Sequence, residues 1–216
     1  VEIGTDFRLT LPARWAEVEV AIKEGPDKGK TEIEIQPAIW AFHTPISREV
    51  FESSYRLISG VNELLTAGNG GYSRSGPAIA TLTLRDVARR DAAEWGSGSP
   101  NDPGGAGAFL ESIKQATMIL APSPEGFRYL PVDVALQQNT ISADEWREVE
   151  AALVFFTCAY SMLPAVTRRS VSIYLASALR GSITSLTLTE FAASLQTSTP
   201  AATSETPAAE ESSLPS

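Results

Sequence analysis

A chain of 216 residues, 43% hydrophobic and 20% charged, supports one packed core. Its formal net charge of −9 opposes binding to phosphate backbones, so nucleic acid is not an expected partner. One histidine and one cysteine exclude an intramolecular disulfide and any zinc site rich in imidazole or thiolate.

The first forty residues read as strands. In "WAEVEVAI", Val18, Val20 and Ile22 alternate with Glu17 and Glu19; in "KTEIEIQP", Ile33 and Ile35 alternate with Glu32 and Glu34. The turn-rich "KEGPDKGK" separates them, which predicts a β-hairpin with one apolar and one acidic face. "FRLTL" ahead of it offers a third strand. A lone hairpin is marginal in water, so the apolar face is expected to lie on a helix. "FHTPISREVFESSYRLISGVNELL" supplies one, with Thr44 as cap, Pro45 in the first turn, and Val50, Tyr55, Leu57, Ile58, Val61, Leu64 and Leu65 at helical spacing. Gly60 within it predicts a bend or a close contact.

"GNGGYSRSGP" reads as a flexible connection, since no Gly-Lys-Ser/Thr follows to make a phosphate loop. "LRDVARRDAAEWG" predicts a short helix ending at Gly96, with Arg85 and Asp86 in a network at its start. After the loop "SGSPNDPGGAG", "AFLESIKQATMIL" reads as helical from Ala108 to Leu120, and "LPVDVALQQN" as one or two helical turns. "SADE" then places a capping box on Ser142 and Glu145. Trp146, Val149, Leu153, Phe156, Tyr160 and Leu163 follow at intervals of 3 and 4, widened by Val154, Phe155, Cys158 and Ala159. A helix this apolar is central in a bundle or covered by a partner. "AVTRRSVSIYLASALRG" predicts the next helix, closing at Gly181, and "TLTEFAASLQ" another, with a second capping box on Thr187 and Glu190. From Thr197 the text becomes "TSTPAATSETPAAEESSLPS", an acidic tail expected to be disordered because it offers too little apolar surface to bury.

Catalytic signatures are sparse. His43 stands just ahead of the predicted helix start, with no G-x-S-x-G and no glycine-flanked cysteine, and reads as structural. Cys158 lies in the apolar "LVFFTCAYSML" and reads as buried packing. Asp144, Glu145, Glu148 and Glu150 cluster at a helix start and read as a solvated face. Trp15, Trp40, Trp95 and Trp146 are spread over different elements, which favours core packing over a ligand cage. No EF-hand loop, cofactor motif or metal-ligand spacing is present. No secretory leader is legible in "VEIGTDFRLTL", and the longest apolar run, Ala151–Ala159, is too short to span a bilayer.

Four phrases together carry a resemblance: "AFHTPISREVFESSYRLIS", "GPAIATLTLRD", "LPVDVALQQNTISADEWREVEAALVFFTCAY" and "RGSITSLTLTEFAASLQTSTPAATS". From about residue 35 to 205 the chain resembles a family of tail-module proteins encoded by tailed bacteriophages and prophages, of the tail assembly chaperone sort. The resemblance implies a non-enzymatic protein that coats the apolar tape-measure polypeptide until the tail tube polymerises around it. It brings no assigned functional residues.

The expectation is therefore an α+β domain over residues 1–196, with a β-hairpin region (1–40) packed on a mostly helical region (44–196), and a disordered acidic tail (197–216). The expected partner is a phage tail protein, either the tape-measure protein or the tail tube, in the bacterial host cytoplasm. No cofactor, membrane or nucleic acid is expected, and homo-oligomerisation is left open. Phe51, Tyr55, Trp146, Val149, Phe156 and Tyr160 are the expected contact surface. The alternative is a tube or connector subunit retained in the virion, and the third reading is a hydrolase with an unrecognised carboxylate site.

Overall fold

A computed structural model describes residues 7–21, 31–66 and 76–198, and they form an α+β fold. Two long strands, β1 (Arg8–Ala21) and β2 (Thr31–His43), pair along their whole length. "FRLTL" is the start of β1 rather than a third strand. The helices α1 (Arg48–Ser53), α2 (Tyr55–Thr66) and α3 (Gly76–Trp95) follow. A minimal hairpin of β3 (Gly98–Ser99) and β4 (Asp102–Pro103) leads to α4 (Ala106–Gln115). Then come β5 (Thr117–Ser123), β6 (Gly126–Pro131), α5 (Val132–Gln137) and α6 (Ala143–Ser161). The described chain ends with α7 (Ala165–Ala178), β7 (Ser182–Thr184) and α8 (Leu188–Ser198).

The main sheet is antiparallel, in the order β6-β5-β2-β1-β7, with β2 at its centre. Strands alternate their side chains between faces, and here both faces are used. On one face, Leu9, Leu11, Ile39, Ala41 and Ile119 share a buried cluster with Leu153, Val154 and Phe155 of α6 and with residues of α2, α3 and α4. On the other, Phe42 and Leu120 lie under α8, where the Phe191 ring centroid stands 5.6 Å from Phe42 and 5.9 Å from Trp40. The central α6 is buried nearly all round, from Val149 to Ser161, as its wide apolar stripe requires. Each fully buried Leu or Phe there contributes about 1.5–3 kcal/mol.

Local signals account for the helix starts. Ser142 and Glu145 form the complete capping box of α6, and Thr187 and Glu190 bond reciprocally ahead of α8. The first cap differs from expectation. Ser47 caps α1, its Oγ accepting the Val50 N–H at 3.2 Å, whereas Thr44 donates its backbone N–H to Ala116 across the sheet end. The expected single helix is broken at Ser54 into α1 and α2. Gly60 is the close contact anticipated: a Cβ there would stand 2.8 Å from Val87 Cγ1, so the glycine lets α2 and α3 approach.

Three further readings are corrected. The helix expected over 108–120 ends at Gln115, and "TMIL" is instead the buried strand β5, paired with β2 from Trp40↔Leu120 to His43↔Thr117. The region 44–196 accordingly contains β5, β6 and β7 as well as helices. The helix around Arg85 begins at Gly76, so Asp86 pairs in its middle with Arg90 at 2.6 Å instead of at a helix start. The turn 22–30, the connection 67–75 and the tail from residue 199 lie outside the described residues.

The hairpin faces are also corrected. Expectation put valines and isoleucines together on an apolar face. The observed register pairs Glu17 with Ile35, Glu19 with Ile33, Val18 with Glu34 and Val20 with Glu32. Residues paired directly across an antiparallel ladder share a face, so each face mixes aliphatic side chains with acids. Neither face can be buried in an apolar core. Between Arg14 and Val20, and from Ile33 to Ala38, no residue is buried, and the distal half of the β1–β2 ribbon stands out as an arm.

Candidate functional site

His43 ends β2 on the α6 side of the sheet and is buried. Its Nδ1 is 2.9 Å from Thr117 Oγ1, and that hydroxyl donates its hydrogen to the Ile113 carbonyl at 2.7 Å. The imidazole must therefore be the donor to Thr117, which leaves Nε2 as a bare acceptor. Burial lowers the His43 pKa to about 4, so the ring is neutral at pH 7. His43 lines a cavity of about 10 Å³ with Pro45, Ile46, Phe156, Thr157, Tyr160 and Ser161. His43 Nε2, Thr157 Oγ1 and Ser161 Oγ are buried without a protein hydrogen-bond partner. The volume suits one water molecule and no substrate. A serine nucleophile needs a hydrogen bond to its base, and a carboxylate usually orients that base. Here Ser161 makes no such bond, and a threonine stands where the orienting group would be.

Cys158 is buried in the core, and burial pushes its thiol pKa far up. Among the described residues no group of three or more His, Cys, Asp or Glu side chains is placed to hold a metal ion.

The expected contact surface does not form. Trp146, Val149, Phe156 and Tyr160 are buried, and the Phe156 and Tyr160 rings stack at 5.4 Å. Phe51 is half-buried and meets the exposed Tyr55 edge-on at 5.9 Å. A stripe this wide on α6 belongs to the chain's own core, so it offers no docking face in the folded protein. The tryptophans divide similarly: Trp146 is buried and Trp40 packs under α8, but Trp15 and Trp95 are exposed. Glu145, expected on a solvated face, is held in an ion pair.

Three surfaces are exposed instead. One is a groove of about 970 Å³ between α3 and α6, lined by Leu82, Trp146 and the charged Arg85, Asp144, Arg147 and Glu150. Burial raises the Glu150 pKa despite the nearby cations Arg85 and Lys114. A second is the outer side of α7, where Val166, Ile173 and Tyr174 are exposed. The third is the arm. Ile33 is 64% exposed, Ile35 67% and Trp15 42%. Alternation in the sequence revealed the two strands but not their exposure, because facing depends on the register between them.

The arm is fixed at its base. A β-bulge interrupts the ladder between Pro12 and Trp15, and Arg14 within it reaches the N-terminus of α6. Arg14 Nε and Nη2 donate to Glu145 Oε1 and Oε2 at 2.5 and 2.7 Å, a two-pronged fork. Arg14 above all, with the Ser142 backbone and side chain, lowers the Glu145 pKa to about 2.

No family model, curated protein or solved structure matches this chain.

Proposed function

We propose that this chain is a non-enzymatic virion-morphogenesis protein of a tailed phage: a tail assembly chaperone that binds the tape-measure protein while the tail is built. The phrases quoted above suggest the family, and the exposed Ile33, Ile35 and Trp15 on an acidic arm carry the reading. Large aliphatic side chains held in water, flanked by carboxylates, suit reversible contact with an apolar polypeptide that must stay soluble. The net charge of −9 fits the solubilising role and disfavours nucleic acid as a partner. Among the described residues no helix is long and apolar enough to cross a membrane, and the proposed location is the bacterial host cytoplasm.

Co-expression with a tailed-phage tape-measure protein, the proposed partner, tests the reading. Tape-measure protein should move from the insoluble to the soluble fraction and co-purify with this chain; no change in its solubility refutes the chaperone role. The second reading, a tube or connector subunit, draws on the same arm, because open strand edges also join subunits of a polymer. Mass spectrometry of purified virions separates the two: stoichiometric presence in the particle selects the structural subunit, and absence selects the chaperone.

A further inference from the structure

Beyond the distal limit of β5 and β7, the ribbon has two open edges. β5 pairs with β2 only from Trp40 to His43, and β7 pairs with β1 only from Arg8 to Thr10. The β2 edge from residue 31 to 39 is therefore unclaimed by any described strand. Long open edges invite a further strand, and such addition supplies affinity through main-chain hydrogen bonds and specificity through alternate side chains.

The register states what that strand should be. Ile33, Ile35 and Pro37 occupy one face of β2, and Glu34 and Gln36 alternate with them on the other. A segment laid beside β2 meets aliphatic neighbours at every second residue and acidic positions at those between. Apolar residues suit the first set, and lysine or arginine suits the second. We propose that the β2 edge of the arm, residues 31–39, is a docking site for an extended protein segment in which basic and apolar residues alternate.

Charge selects this occupant over a second copy of the chain. A self-pairing that sets both Ile33 and Ile35 opposite isoleucine, whether parallel or antiparallel, also sets Glu34 opposite Glu34, and like charges directly opposed are destabilising. Residues 15–36 as a whole contain six acids, three lysines and no arginine, a net charge of −3. The α3–α6 groove has no comparable preference, since Arg85 and Arg147 there are mixed with Asp144, Glu148 and Glu150. The inference goes beyond the tail-assembly reading and does not depend on it, because it names the partner segment by its chemistry.

The test uses the full chain and a short fluorescent peptide of alternating lysine and valine. Its control is the same peptide N-methylated at consecutive amides, which keeps the charge and blocks pairing at both strand edges. The expected result is binding that weakens as salt is raised, is lost in the N-methylated peptide, and slows amide hydrogen exchange across residues 31–39. The double variant Ile33→Ser/Ile35→Ser changes only exposed side chains and should bind on the order of tenfold more weakly with an unchanged melting curve. Equal binding of both peptides reduces the effect to charge attraction and overturns the proposal. So does exchange protection at the α3–α6 groove instead of the arm, or concentration-dependent self-association that the double variant abolishes. These readouts use no phage protein, so their failure is separable from failure of the co-expression experiment.

Discussion

Glu145 does two things at once, and glutamine at that position separates them. Its backbone N–H donates to Ser142 Oγ at 3.1 Å, and its Oε2 accepts the Ser142 N–H at 2.6 Å, which caps α6. The same carboxylate takes the Arg14 fork and joins the base of the arm to that helix. Glu145→Gln keeps an acceptor for the cap but loses the charge and half the fork. Glu145→Ala loses both. A carboxyl that ionises near 2 in the folded protein, against 4.5 ordinarily, carries a linkage free energy of about 3 kcal/mol. The Arg14 and Glu145 side chains are 40% and 25% exposed, so screening reduces this to about 1–2 kcal/mol. Glu145→Gln should thus lose about 1–1.5 kcal/mol, and Glu145→Ala about 1 kcal/mol more through the cap.

Urea denaturation of the wild type and both variants, repeated over pH, measures this. The folded carboxyl holds its proton less tightly than the unfolded one. Its stabilising effect is therefore complete above about pH 4.5 and drains away as pH falls toward 2. The gap between the wild type and Glu145→Gln should be level from about pH 8 to about pH 5 and fall below half by about pH 3. A gap that ignores pH, or a glutamine variant as stable as the wild type, refutes the ion-pair reasoning. A glutamine variant as weak as the alanine one shows that the cap carries no separate share.

His43 should act over a higher pH window. Its folded pKa of about 4 lies below the ordinary 6.5, so the unfolded chain binds the extra proton, and stability falls as pH drops from 6.5 toward 4. The loss approaches about 3 kcal/mol, and His43→Asn, which cannot titrate there, should flatten that part of the urea-derived stability profile. Cys158 should resist iodoacetamide in the native protein and react at the rate of global unfolding, as followed by intact mass; fast labelling of folded protein contradicts its burial. At Gly181, where α7 turns into β7, an added Cβ would lie 2.4 Å from the Thr10 carbonyl oxygen. Gly181→Ala should cost about 1–3 kcal/mol and lower the melting temperature.

What the sequence disclosed follows the range of the forces involved. The capping boxes at Ser142 and Thr187 are interactions three residues long, and both stand where the sequence places them. The core role of Cys158 is legible because the helix around it is apolar on every side. "TMIL" fails for the opposite reason. Its residues continue the helical spacing of α4, and only pairing with β2, more than seventy positions earlier, turns them into strand. The arm lies between these cases. Alternation in β1 and β2 is local and disclosed both strands, but which residues share a face is set by the pairing, and that is not local. The expected contact surface fails through the same gap: α6 is apolar nearly all round, and the sheet and neighbouring helices consume that surface.

The arm's pattern is dictated from the opposite end of the sheet. Leu9, Leu11, Ala41 and His43 fill the α6 face while Phe42 packs under α8, so the pairs Leu9↔His43 and Leu11↔Ala41 cannot slip by one residue without turning one strand's side chains onto the wrong buried face. That fixes the register at the base. The bulge displaces it between Pro12 and Trp15, but from Trp15↔Pro37 onward the ladder runs in step with the base again. Odd-numbered residues therefore meet odd-numbered ones along the arm, and every exposed isoleucine has a glutamate across from it. A slip of one residue would bring Val18, Val20, Ile33 and Ile35 onto one face, which would then collapse onto the nearest apolar surface or aggregate. Burial at the base thus sets each exposed isoleucine of the arm beside an acid, the mixed pattern that the proposed docking strand requires.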